Sequence, residues 1–115
     1  QVEVLGDAIR IEQVILNLLH NALDAMAESE TRILLVRIAR EDDGCLLSVE
    51  DSGGGIAEET LGRVFEPFFT TKPVGQGLGL GLAVSYGIVR DLGGTLEAHN
   101  GELGAVFTLR LSAAP

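Results

Sequence analysis

The sequence predicts a single α/β domain in which helices and strands are interleaved. Three observations lead there. Residues 8–28 carry apolar side chains at helical period, and residues 32–40 and 45–51 are branched, strand-like runs joined by a tight-turn sequence. A loop with glycine at every second position, Gly75 to Gly81, then runs straight into a second helical pattern. At 115 residues the chain can build one core and little beyond it.

Gln1 to Gly6 is expected as a short strand on Val2, Val4 and Leu5, with Asp7 capping the helix that follows. From Ala8 to Glu28, residues Ile11, Val14, Ile15, Leu18, Leu19, Ala22, Ala25 and Met26 fall on one side at about 100° per residue. The other side carries Gln13, Asn17, Asn21 and Asp24 within an arc of about 60–100°. Such a face can simply be solvated. Asn is nevertheless a poor helix former, and two of them one turn apart, followed by Asp, also make a row of oxygen donors aimed at a ligand.

Arg32 to Arg40 reads as a strand, Glu41-Asp42-Asp43-Gly44 as a hairpin turn, and Cys45 to Asp51 as the return strand. Alternation puts Cys45, Leu47, Val49 and Asp51 on one face, so Asp51 extends an inward, apolar row. A carboxylate there needs a hydrogen-bond donor. An ordinary N-cap or Asx-turn is the other reading. Ser52-Gly53-Gly54-Gly55 permits close approach of another backbone or a ligand beside it. Ala57 to Val64 is expected as a short helix with Glu58 and Glu59 near its positive end. Phe65 to Pro73 holds three of the four Phe, either as an anchor onto the body or as a docking patch.

The glycine loop should open a helix near Gly79 that runs to Leu92 and stops at Gly93-Gly94. The start of a helix is an anion site, above all for phosphate; a flexible turn that binds nothing also fits the glycines. Neither G-x-x-x-x-G-K-[ST] nor G-x-G-x-x-G occurs. Residues 95–100 and 105–111 read as a closing hairpin with Phe107, Leu109 and Leu111 inward, and residues 113–115 as a frayed end.

The charge bounds the partners. Eight Lys and Arg against seventeen Asp and Glu leave a net charge of −9, which argues against general nucleic-acid or anionic-membrane binding. A polyphosphate would need a cation alongside it. The single Cys45 excludes an internal disulfide and a cysteine-rich zinc site, as expected in a reducing compartment. No run of about 18 apolar residues is present.

Together these stretches resemble the ATP-binding domain of sensor histidine kinases, in the superfamily that includes gyrase, Hsp90 and MutL. Asn17-Leu-Leu-His-Asn21-Ala-Leu-Asp-Ala is similar to the N box, Asp51-Ser-Gly-Gly-Gly-Ile56 to the G1 box, Phe65-Glu-Pro-Phe-Phe-Thr-Thr-Lys72 to the F box, and Gly77-Leu-Gly-Leu-Gly81 to the G2 box. The four follow in the family's order across nearly the whole chain. Gly54 stands where many members carry Pro, which should loosen that turn.

The resemblance implies a Bergerat-type, two-layer α/β (α+β) sandwich over residues 1–115, a mixed β-sheet with helices on one face. It implies that Asp51 accepts from the adenine amino group while Gly53 and Gly55, followed by Ile56, leave room for the ring. Asn21 would give a carbonyl oxygen to Mg2+, with Asn17 beside it near the phosphates as the catalytic pair and Asp24 on the same face. Phe65, Thr71 and Lys72 would contact the nucleotide from a lid over residues 65–75, and the backbone of Gly77, Leu78, Gly79 and Leu80 would cradle the triphosphate.

The implied activity is that of an ATP-dependent protein-histidine kinase with ATP and Mg2+ as cofactors. The γ-phosphoryl group would pass to a histidine on a separate dimerisation and phosphoacceptor domain of a two-component sensor, and thence to a response regulator. Relatives that hydrolyse ATP for mechanical work carry Glu where this chain has Asn17, and an amide cannot take a proton from water. Open beside this are an ATPase or serine kinase of the same superfamily and a nucleotide-sensing module without transfer. Neither His20 nor His99 lies in a phosphoacceptor-like helix, so both are expected to be structural. The acceptor segment, and the domain's usual first helix and strand, are expected upstream of Gln1. A cytoplasmic location within a membrane-bound sensor follows from the same resemblance, and the later boxes look most like nitrogen-regulatory and C4-dicarboxylate sensors. Leu16 and Leu23 lie off the main apolar stripe, so an exposed patch and self-association through it are expected.

Overall fold

A computed structural model describes residues 2–41, 44–67 and 81–112. The first helix, α1, spans Val2–Ala25. It replaces the strand expected at Gln1 to Gly6 and passes straight through Asp7, which is therefore not a cap. Val2, Leu5 and Ile9 continue the helical repeat backward, and a strand there has no ladder to join, because the four described strands pair only with one another. At the other end Met26 N–H reaches Leu23 O as well as Ala22 O, and Ala27 N–H reaches Asp24 O. The last turn thus tightens, and the helix stops before Glu28.

The strands β1 (Leu34–Glu41), β2 (Gly44–Asp51), β3 (Thr95–Asn100) and β4 (Ala105–Ser112) form one sheet in the order β1-β2-β4-β3. Each of these pairings is antiparallel, where a mixed sheet was expected. Glu41 pairs with Gly44, so Gly44 belongs to the ladder, and the turn residues 42 and 43 lie outside the described residues. Between the hairpins come α2 (Glu58–Leu61), shorter than the expected Ala57 to Val64, and α3 (Gly81–Asp91). The expected helix start near Gly79 and the frayed end at 113–115 are also outside the described residues.

The register places Leu47, Val49, Phe107, Leu109, Leu96 and Ala98 on one face of the sheet. Val14, Leu18 and Ala22 of α1 and Val89 of α3 meet that face in the core, which Val64 closes from the chain after α2. The molecule is a two-layer sandwich, helices over one sheet face. The glycine stop after α3 is a Schellman motif. Gly93 takes φ +81°, its N–H bonds to Arg90 O at 3.0 Å, and Gly94 N–H bonds to Val89 O at 2.9 Å.

Candidate nucleotide site

Asp51 ends β2 on the core face and is 1% exposed. Gly53 N–H donates to its Oδ1 at 2.9 Å, and the backbone N–H of Ala105 donates to the carboxylate from β4. Both sequence readings of this residue therefore hold: it makes an Asx-type turn, and it is a buried acceptor. Loss of water raises its pKa above the ordinary carboxylate value and the Glu50 charge adds to the rise, while the two amide donors pull it down. A carboxylate can accept about four hydrogen bonds, so capacity remains for an incoming N–H.

The backbone around it is packed too closely for side chains. A Cβ on Gly53 would stand 2.8 Å from Ala25 O and 2.9 Å from Asp51 Oδ1; one on Gly104 would stand 2.5 Å from Asp51 O. Gly55 takes φ +78°, a region that favours glycine. The next residue, Ile56, is fixed through its backbone by Asn100: Ile56 N–H donates to Oδ1 at 2.8 Å and Nδ2 donates to Ile56 O at 2.7 Å. Ser52 holds the other side of the turn, its Oγ accepting from Ile33 N–H at 2.8 Å and donating to Thr31 O at 3.1 Å. Gly54 faces open space.

The polar row on α1 connects this turn to α3. Asn17 is half-buried and its Nδ2 donates to Ser85 Oγ at 3.1 Å and to Gly81 O at 3.3 Å. Asn21, half-buried, lies one turn on, and Asp24 is exposed beyond it. The helix then ends against Gly53. From Asn17 to Ala25 is about 12 Å along the axis, with the helix that follows the glycine loop at one end and the buried carboxylate at the other. Amide oxygens on such a row suit Mg2+, which takes few protein ligands when phosphates supply the rest. No cluster of three or more His, Cys, Asp or Glu exists among the described residues to form a protein cage for a metal.

Phe65 stacks on Tyr86 with ring centroids 5.0 Å apart and meets Phe107 edge-on at 6.1 Å. It is an anchor onto the body. Its partner Tyr86 in turn carries Arg90, whose guanidinium lies 5.8 Å over the ring. Thr71, Lys72, Gly77, Leu78, Gly79 and Leu80 lie outside the described residues, as do Phe68 and Phe69. His20 and His99 are both exposed, on α1 and β3. Sequence reasoning missed Ser85, Asn100, Gly104 and Ala105. Ala105 begins the alternating row of Phe107, Leu109 and Leu111, and Ser85 lies one turn before Val89, but those spacings signal burial only. The contacts that matter are made across the fold, and the nearest signal was the Asn100-Gly101 pair at the end of a strand.

The chain matches the family model "Histidine kinase-, DNA gyrase B-, and HSP90-like ATPase" over residues 6–115. It is 48% identical to the two-component sensor PprA of Pseudomonas aeruginosa over 96% of this chain and 13% of that protein. It is 46% identical to the C4-dicarboxylate transport sensor protein DctB of Rhizobium meliloti over 97% and 18%. The chain therefore spans less than a fifth of either relative. Among solved structures, the catalytic domain of histidine kinase ThkA superposes with a TM-score of 0.81 at 35% identity, over 93% of this chain and 69% of that one. Full-length ShkA, solved in complex with AMPPNP, gives 0.73 at 32% identity over 91% and 22%.

Proposed function

The chain belongs to the family of histidine kinase-, DNA gyrase B- and HSP90-like ATPases, as an ATP-binding domain of the sensor histidine kinase type, and on that premise we propose that it binds Mg-ATP and passes the γ-phosphoryl group to a histidine on a dimerisation domain of the same sensor. The observation that carries this reading is the buried Asp51 carboxylate held beside Gly53, at the end of a helix whose Asn17 and Asn21 line the way to α3. In this reading Asp51 accepts from the adenine amino group, and Gly53 and Gly55 let the ring approach. Bound Mg2+ would neutralise phosphate charge; Asn21 would offer it an amide oxygen without adding negative charge, with Asn17 beside it near the phosphates. In the same reading Asp24, Ile56 and Phe65 would add to the nucleotide contacts. Thr71, Lys72 and the Gly77 to Leu80 backbone complete the proposed contacts from residues 71–80.

An amide at position 17 favours transfer over hydrolysis, since it cannot deprotonate water. A histidine acceptor is already nucleophilic, so positioning and charge neutralisation suffice. The further partners are a response regulator and, by the same reading, a cytoplasmic setting within a membrane-bound sensor. Asn21→Ala should remove the Mg2+ dependence of ATP binding and stop labelling of an added dimerisation domain, with the fold intact by circular dichroism. Normal labelling by that variant would take Asn21 out of the site. Steady hydrolysis by the wild-type chain without an acceptor would favour the ATPase alternative, and nucleotide binding with no labelling at all would favour a sensing module.

A further inference from the structure

Ser85 is 0% exposed, midway along α3, and the only hydrogen bond described for its side chain comes from Asn17 Nδ2 at 3.1 Å. The second acceptor for the same nitrogen is Gly81 O at 3.3 Å, one turn earlier on α3. A backbone carbonyl can only accept, so the group facing it must be the NH2 and not the carbonyl of the amide. With both amide hydrogens directed at α3, the group left to the site is Oδ1. Ser85 and Gly81 thus set the polarity of Asn17: a ligand reaching this part of α1 meets an oxygen rather than two N–H donors.

We propose that Ser85 is a positioning residue that acts through Asn17, holding its amide so that the carbonyl oxygen is presented to the cation-bearing phosphates of the bound nucleotide. This rests on the functional reading above. A serine in a helix ordinarily turns its hydroxyl to the carbonyl four residues back, which for Ser85 is Gly81; here that carbonyl receives Asn17, so the two helices share a small polar junction, separate from the exposed Arg10–Asp91 pair that also joins them. Without the Ser85 oxygen, one amide hydrogen loses its acceptor, and the amide can rotate to present N–H toward the phosphates. An inverted amide repels a cation where the native one attracts it. ATP would still be held by the contacts around Asp51, so the defect falls on the step that needs the cation correctly placed.

The test is a double-mutant cycle on autophosphorylation of the intact sensor kinase, with Ser85→Ala, Asn17→Ala and the pair. Ser85→Ala is expected to lower kcat about tenfold and raise the Mg2+ concentration for half-maximal transfer, with KM for ATP within about twofold. In the Asn17→Ala background the same change should have little further effect. Equal losses in the two backgrounds, or a loss confined to melting temperature with kcat and the Mg2+ requirement unchanged, would overturn the proposal. If the wild-type kinase makes no phosphohistidine with Mg-ATP, the functional reading itself fails; if it does and the cycle is additive, only the role of Ser85 fails.

Discussion

Asp51 has given up its water for two backbone donors, and this makes its ionisation a liability until a ligand arrives. Burial raises its pKa above the usual 3.8. Because the folded chain then holds the proton to higher pH than the unfolded chain, the stability it contributes is full below the unfolded value and is lost as pH rises through the folded one. Asp51→Asn removes that loss while keeping the shape of the side chain. In the absence of nucleotide, the melting temperature of the variant relative to wild type should therefore rise as the pH is raised above the ordinary carboxylate value of 3.8. Its affinity for ATP, by calorimetry at neutral pH, should fall about tenfold to a hundredfold. A difference that does not move with pH, together with intact affinity, would mean that the carboxylate is neither buried as described nor used by adenine.

The helices show which parts of the element pattern could be read in advance. Gly93-Gly94 was legible as a stop because a left-handed residue at a helix end is a local, backbone requirement, and Gly93 adopts it. Gly87 makes the contrast: it is exposed in the middle of α3, and an added Cβ would meet nothing within 4 Å. Gly93→Ala should destabilise the domain by about 1 kcal/mol, whereas Gly87→Ala should stabilise it by up to about 1 kcal/mol, both read from denaturant melts. Equal effects of one sign would place the end of α3 elsewhere. The N-terminal strand was misread because Val2, Val4 and Leu5 have strand chemistry, and their side-chain types do not reveal that no neighbouring strand awaits them. The Asn row and the inward Asp51 followed from periodicity alone. What periodicity could not supply was the junction of Asn17 with Ser85, between α1 and α3, or of Ile56 with Asn100, 44 residues apart, since those pairs exist only once distant parts of the chain have come together.

At the scale of the whole molecule, the expected patch is present. Ile9, Leu16 and Leu23 recur at seven-residue spacing along α1 and are 59%, 48% and 56% exposed. Val36 and Ile38 of β1 pair with Val49 and Leu47, which puts them on the helix side of the sheet, yet they remain 47% and 75% exposed. No described element lies over either row. Light scattering of this chain should show a mass that grows with concentration, and the pair Leu16→Glu with Leu23→Glu should hold it at one copy. ATP affinity should not change, because those residues stand away from the Asn17 and Asn21 face; a wild-type chain that stays monomeric at millimolar concentration would show that the exposed rows do not associate.

The strand order also governs when the site comes into being. In β1-β2-β4-β3 the strand bearing Asp51 has one neighbour 34–41 and the other 105–112, and it is Ala105 and Gly104 that donate to the carboxylate and pack against its backbone. A chain emerging from the ribosome can form α1, β1 and β2 while Asp51 still faces water on an open edge. Asn100, which fastens Ile56, also arrives late. Only when the final hairpin slots in beside β2 does the carboxylate dry out and the turn after it become fixed. A nascent chain halted before residue 95 should accordingly ignore ATP, and nucleotide will recognise the finished protein alone.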